Sequence, residues 1–282
     1  MTKQQYPTDL TDAQWQILKP FFRKKSNRGR KVVYERRLVV NAILHVVRTG
    51  CQWRMLPHDF PPWKTVYQMF YRWRKAGLWE RIHDALRKKV RRQEGKKPTP
   101  TAAIIDSQSV KTTDIGGEQR GYDAGKKVFG RKRHIIVDTL GLVLAVVVHG
   151  ADQQDHNGAC LVLYALWEKM KRIKIIFGDT AYGRKELPKF VESTLGFVIE
   201  IVKRPRGSHS FEVLPKRWIV ERTFAWLGFC RRHSKDYERN PENSEAMIYI
   251  SMTHLRVSPK SDLCCKSVFE WGIHVGWFES FQ

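Results

Sequence analysis

Cysteine is scarce in this chain: five among 282 residues, at 51, 160, 230, 264 and 265, with no CxxC pair and no histidine at zinc-finger spacing. That excludes a disulfide framework and a zinc-built fold, and it suits a reducing compartment. Long apolar runs are missing too. The longest, LVLAVVV at 142 to 148, falls far short of the roughly 20 residues that span a bilayer. The opening MTKQQYPTDL is too polar for a secretory leader. These absences predict a soluble, cytoplasmic protein with no membrane partner. Acidic residues are also in deficit, 28 Asp and Glu against 51 Lys and Arg, for a formal charge of +23. An imbalance that large exceeds what solubility requires and points to a polyanionic partner, because each phosphate neutralised by Lys or Arg releases condensed counterions.

What is present divides the chain. Residues 9 to 23 place Thr11 or Asp12 as a cap before Trp15, Ile17, Leu18, Phe21 and Phe22, the spacing of a first helix. A basic turn at 26 to 31 follows. A second helix then puts Leu38, Val39, Ala42, Ile43 and Val46 on one face until Gly50 stops it. The run from Trp63 reads as one or two further helices broken near Ala76 and Gly77, with Val66, Met69, Phe70 and Trp73 suited to a core. Its polar face carries Lys64, Gln68, Arg72 and Lys75. A helix entering a DNA major groove, in the helix-turn-helix manner, and a solvated basic face fit this stretch alike.

The segment RRQEGKKPTPT at 91 to 101 is charged and broken by Pro98 and Pro100, and it marks the expected domain boundary. Beyond it come AAIIDS, then KRHIIVDTLGLVLAVVVHGA with a turn at 138 to 141, then a helix starting near Asp155, then KIIFGD. That order predicts an antiparallel meander extended by a parallel crossover, in a mixed α/β sheet. We therefore expect a helical domain over 1–95, a catalytic domain over 96–257 and an atypical extension over 258–282.

Three carboxylates stand out. Asp106 and Asp179 end apolar strand-like runs, where a charge is expensive to desolvate unless a cation meets it. Glu221 sits on a helix predicted over 215 to 232, on or beside a face formed by Trp218, Ala225 and Phe229; Arg217 one turn earlier could simply pair with it. Two Asp and one Glu in a strongly basic protein are what two-metal phosphodiester chemistry requires. Asp114, Asp123, Asp138, Asp152 and Asp155 lie in turn-like contexts and read as loop or capping residues.

At IIDSQSVK, GRKRHIIVDTLGLVLAVVVHGAD, FGDTAYGR and RWIVERTFAWLGFCRRHSKDYE, with GCQWRMLPHDFPPWKTVYQMFYRW upstream, the chain resembles the DDE transposases of bacterial insertion sequences, specifically the insertion-sequence-five family. The resemblance implies a ribonuclease-H-like core preceded by a small all-helical domain. It further implies that Asp106, Asp179 and Glu221 bind Mg²⁺, for which Mn²⁺ may substitute. The expected activity is cleavage of DNA at terminal inverted repeats and joining of the 3′ ends to target DNA, by a homodimer on paired ends, in a nucleoid-associated setting. Relatives carry Tyr, Arg, Glu and Lys at fixed steps around the helix that holds the Glu. Here Arg217 and Glu221 keep their step, while Leu214 stands in the Tyr place and Gly228 in the Lys place, which passes the basic role to Arg231, Arg232 or Lys235. Arg222 and Tyr182 are expected phosphate neighbours. After Arg256 the periodicity and basic charge fade, so the tail is expected to be poorly ordered or loosely docked.

Overall fold

A computed structural model describes residues 6–23, 33–114, 116–117, 119–184, 186–203 and 216–257. The basic turn at 26 to 31, Leu214 and the tail from 258 lie outside the described residues.

The first helix, α1 (Asp12–Leu18), opens on a capping box. The Thr11 hydroxyl accepts from the Gln14 backbone N–H at 3.2 Å, and the Gln14 side chain accepts from the Thr11 N–H at 2.8 Å. α2 (Arg36–Thr49) ends at Gly50, whose φ of 73° lets its N–H reach back to the Val46 carbonyl. Arg37 ties the two helices together through Asp12 at 2.6 Å. α3 (Trp63–Lys75) and α4 (Leu78–Gln93) are split by Gly77 at φ 62°, where the sequence predicts a break. Val66 and Phe70 are buried, and Met69 and Trp73 half-buried, while Lys64, Gln68, Arg72 and Lys75 all face solvent. Leu38 departs from expectation: it is 37% exposed, because Val39, Val40, Ile43, Val46 and Val47 form the inward stripe of α2.

The sheet begins with β1 (Ala102–Lys111), β2 (Gly121–Asp123), β3 (Val128–Asp138) and β4 (Val143–Gly150), an antiparallel set in which β3 pairs with the other three. α5 (Asp155–Lys169) crosses over to β5 (Ile175–Gly178), which runs parallel to β1. α6 (Glu186–Phe190) then leads to β6 (Val198–Ile201), parallel to β5. The resulting order, β4-β3-β1-β5-β6 with β2 beside the start of β3, is a mixed ribonuclease-H-like sheet. β2 and β6 are additions to the predicted strands. Both are short and bounded by Gly-rich or polar segments, so their periodicity is weak.

Alternate residues of β1 and β3 feed two cores. Ile105 and Ile136 meet Val162, Leu163 and Leu166 of α5 on one face. Ile104, Ile135 and Val137 meet α7 (Arg217–Gly228), α8 (Pro241–Val257) and the N-terminal helices on the other. This second core is continuous from Leu10 to Val257. Two buried ion pairs cross it: Arg91 of α4 with Asp138 at 2.5 Å, and Arg232 with Glu238 at 2.6 Å, the same Arg232 also donating to the Cys51 carbonyl. Asp138 is thus more than a turn residue, since its other oxygen accepts from Leu140 and Leu142 N–H groups and caps the β3–β4 turn. None of the helices among the described residues is long and apolar enough to cross a membrane.

Removing one partner of a buried pair strands the other charge. Arg91→Ala is therefore expected to lower unfolding free energy by about 3 kcal/mol in denaturant titrations. A second expectation concerns acid. His83 of α4 is fully buried, and burial, helped by Arg87, Arg256 and Lys169, lowers its pKa to about 3. The unfolded chain binds that proton near pH 6.5 and the folded chain does not, so this residue removes stability as pH falls from about 6.5 toward 3. His83→Leu should lose less stability than the parent chain between pH 6.5 and 4, measured by denaturant midpoints across that range.

Candidate active site

The β1–β5 pairing runs from Ala102 opposite Ile175 to Ile104 opposite Phe177. Asp106 and Asp179 each stand two residues beyond that last pair, on neighbouring strands, at the carboxyl end of the parallel segment. This is where open sheets collect ligands. β1 does not end at Asp106, as its sequence suggested. It continues to Lys111 because the antiparallel partner β3 supports it as far as Gly130. Asp106 is therefore held in mid-strand, opposite Ile135, and its carboxylate accepts the Ser107 N–H at 2.7 Å. Protein packed around that carboxyl, with Asp179 adding like charge, raises its pKa to about 6 despite the Ser107 hydrogen bond and the nearby cations Arg217 and Lys126. Asp179 follows β5 directly and caps a short 3-10 turn, Thr180–Gly183, by accepting the Ala181 N–H at 2.9 Å.

α7 approaches from the opposite side of the sheet from α5. Lys216, at φ 69°, starts it and lays its ammonium 3.5 Å from the centre of the Phe177 ring, which pins the helix beginning over β5. Arg217 pairs with Glu221 at 3.6 Å one turn on, and the Glu221 side chain is half exposed. The inward face of α7 is Ile219, Val220, Thr223, Trp226 and Leu227. The predicted face is corrected accordingly: Ala225 and Phe229 are exposed, since the burial stripe is set by what lies beneath the helix and not by its aromatics. Among the described residues, no three His, Cys, Asp or Glu side chains are close enough together to hold a metal ion. Asp106 and Asp179 are neighbours, and Glu221 is turned toward Arg217.

Behind Asp106 lies a polar network that sequence reasoning missed. The Ser107 hydroxyl donates to Asp155 at 3.0 Å, and Lys132 pairs with Asp155 at 3.0 Å and with Asp123 at 3.4 Å. Asp123 also accepts the Ser109 hydroxyl at 2.6 Å and the Lys126 N–H at 3.1 Å. Burial alone would raise both carboxyls, but these hydrogen bonds and the Lys132 charge bring Asp123 and Asp155 below the ordinary range. Asp123 and Asp155 are thus partners of a buried lysine as well as turn and helix-start residues. Tyr182 is corrected from a phosphate neighbour to a buried member of this network. Its hydroxyl lies 3.5 Å from His134 Nδ1, and burial raises its pKa well above 10. The signal available in the sequence was the alternation Ser107, Ser109 on β1 against Lys132, His134 on β3, which puts four polar side chains on one face.

The basic residues separate by environment. Arg217 is half-buried beside Asp106, while Arg231 and Lys235 are exposed. Arg232 is withdrawn as a DNA contact: it is only 6% exposed and its guanidinium holds Glu238 and Cys51. Arg222 is withdrawn too, because it donates to the Leu140 carbonyl and lies over the Trp218 and Trp226 rings at 4.6 and 4.7 Å.

A family model described as a transposase DDE domain matches residues 97–256, more than half of the chain, and the chain belongs to that family. The helical region, residues 10–83, matches the model for candidate transposases of the IS4/5 family (DUF4096), which makes this an insertion-sequence DDE transposase. Two relatives come from Burkholderia cepacia. "Insertion element IS402 uncharacterized 16.2 kDa protein" is 29% identical over 114 residues, 38% of this chain and 76% of its own length. The candidate transposase for IS402 is 28% identical over 126 residues, 42% of this chain and 59% of its own length. Among solved structures, the crystal structure of the Mos1 strand transfer complex aligns over 86% of this chain and 82% of that chain, at 13% identity and a TM-score of 0.33.

The network depends on a close approach at Gly158. A methyl group there would collide with Nε2 of both His134 and His149, whose rings stack 5.0 Å apart. Gly158→Ala is expected to destabilise the chain by roughly 1–3 kcal/mol, read as a lowered denaturant midpoint.

Proposed function

We propose that this chain cuts DNA at the terminal inverted repeats of an insertion sequence and joins the freed 3′-hydroxyls to target DNA. The placement of Asp106 and Asp179 at matching positions beyond the β1–β5 pairing carries this reading. Two adjacent carboxylates, one of them raised to about pH 6 by burial and by its neighbour, are an oxygen donor set that suits a hard divalent cation. Asp106 and Asp179 would hold Mg²⁺, or Mn²⁺ in its place, with Glu221 completing the set from α7. Ions bound there would act as Lewis acids on the attacking water or 3′-hydroxyl and on the leaving oxygen.

The chain's own residues supply the rest. Arg217 restrains Glu221 by its ion pair and places positive charge beside Asp106, where a phosphate would enter. The exposed row Lys64, Gln68, Arg72 and Lys75 on α3 serves as the end-recognition surface, and Arg231 and Lys235 extend the backbone contacts toward the core. The helical domain over 1–95, the catalytic domain over 96–257, action as a homodimer on paired ends and a cytoplasmic, nucleoid-associated setting belong to the same proposal. One observation favours a second reading. Glu221 paired with Arg217 and turned to solvent also suits a chain that binds repeats without cutting them, as a DNA-binding regulator.

Cleavage and strand joining of labelled DNA carrying the flanking repeats separates the two. Asp106→Ala, Asp179→Ala and Glu221→Ala should each abolish Mg²⁺-dependent cleavage while binding stays within about threefold, since phosphate affinity comes mainly from Lys and Arg. A parent chain that binds the repeats and never cuts them would establish the regulator reading.

A further inference from the structure

Two cations flank the Asp106 carboxylate, and they differ in engagement. Arg217 is held by Glu221. Lys126, at the tip of the turn between β2 and β3, is exposed, and its ammonium donates to the Ser107 carbonyl at 3.2 Å. Ser107 is the residue next to Asp106. Among the described residues Lys126 makes no ion pair within 4.0 Å, with Asp106 or any other carboxylate. Its charge is therefore parked beside the site without being neutralised there.

The turn that carries Lys126 is built. Asp123 Oδ1 accepts the Lys126 N–H at 3.1 Å, while Asp123 Oδ2 accepts the Ser109 hydroxyl at 2.6 Å. Lys132 binds Asp123 from β3 and donates to the Gln153 carbonyl at 2.9 Å, which joins the turn to the start of α5. Lys127 at φ 52° then reverses the chain into β3. A solvent-exposed lysine on a flexible loop would need none of this framework. One ammonium hydrogen is committed to Ser107, which fixes the direction of the side chain and leaves two donors facing outward.

We propose that Lys126 is the DNA-backbone contact that seats the scissile phosphodiester beside Asp106, reaching the active site from the β2–β3 turn and not from α7. The cation that α7 places beside Asp106, Arg217, is already paired with Glu221 at 3.6 Å. This inference rests on the DNA-cleaving function proposed above. Two free donors on a fixed ammonium suit the non-bridging oxygens of a phosphodiester and carry no base sequence.

Single-turnover cleavage of the repeat-bearing duplex by the full chain, with binding measured across several salt concentrations, tests it. Lys126→Gln should slow cleavage about tenfold or more at saturating DNA, the loss of one charge-assisted hydrogen bond. It should also reduce the salt slope of binding by about 1. Lys126→Arg should restore most of the rate. Lys174→Gln removes the same charge from an exposed lysine at the amino end of β5, away from Asp179, and should leave the cleavage rate unchanged. Thermal melting of Lys126→Gln should match the parent. Cleavage by Lys126→Gln at the parent rate would overturn the inference, as would a melting loss that Lys126→Arg shares. A parent chain that fails to cut would overturn the function reading itself, a result distinguishable by Asp106→Ala behaving identically.

Discussion

The unequal pairing of β1 is the constraint on which the rest of the structure depends. On one edge β3 supports it antiparallel through Lys111; on the other, β5 supports it parallel only as far as Ile104. Asp106 therefore belongs to a rigid strand yet borders a gap where the parallel ladder has ended. Strand hydrogen bonds fix its backbone, and its carboxylate lies past the end of the parallel ladder, close to Asp179. Asp179 meets the same gap from β5 because the chain leaves the sheet there into a tight turn. Burial, with Asp179 close by, raises the cost of ionising Asp106.

Among the described residues, Arg87, Arg91, Arg131, Lys132, Arg133 and Arg232 are buried, which qualifies the simple picture of a basic surface. Arg131 is fully buried on β3 and donates to the carbonyls of Gln119, Glu238 and Arg239 while pairing with Asp236 at 3.2 Å. Arg133, two residues on and on the same face, holds the His233 and Lys235 carbonyls. Planar guanidinium groups satisfy several carbonyls at once, so arginines rather than lysines fasten the segment after α7 onto the sheet. The same logic buries Arg232 against Glu238 and Cys51, and it joins the N-terminal helices to the sheet through one continuous core. A net charge of +23 is thus a mixture of fasteners and contacts, and only burial tells them apart.

The helices and the main strands were legible because their signals are local. Thr11 and Gln14 make a capping box within four residues, Gly50 stops α2 by its own backbone freedom, and the apolar runs of β3 and β4 need a sheet buried on both faces. The candidate acids were legible as a pattern as well, since a carboxylate at the end of an apolar strand invites explanation. The end of β1, the inward face of α7 and the partners of Asp123, Asp138 and Asp155 were not legible. Each depends on residues far along the chain: Gly130 opposite Lys111, the sheet beneath Val220, and the distant Lys132 and Arg91.

By itself the sequence determined the membership of this chain in a family, the order of its elements and the identity of two strand-associated aspartates, because periodicity, caps and short motifs are written in neighbouring residues. Only the tertiary structure decided which charges meet. It set Asp106 beside Asp179, sank Arg232 and Tyr182 and brought Lys126 to Ser107. Electrostatic interaction acts across space and falls with distance and solvent access, and neither quantity exists until the chain has folded.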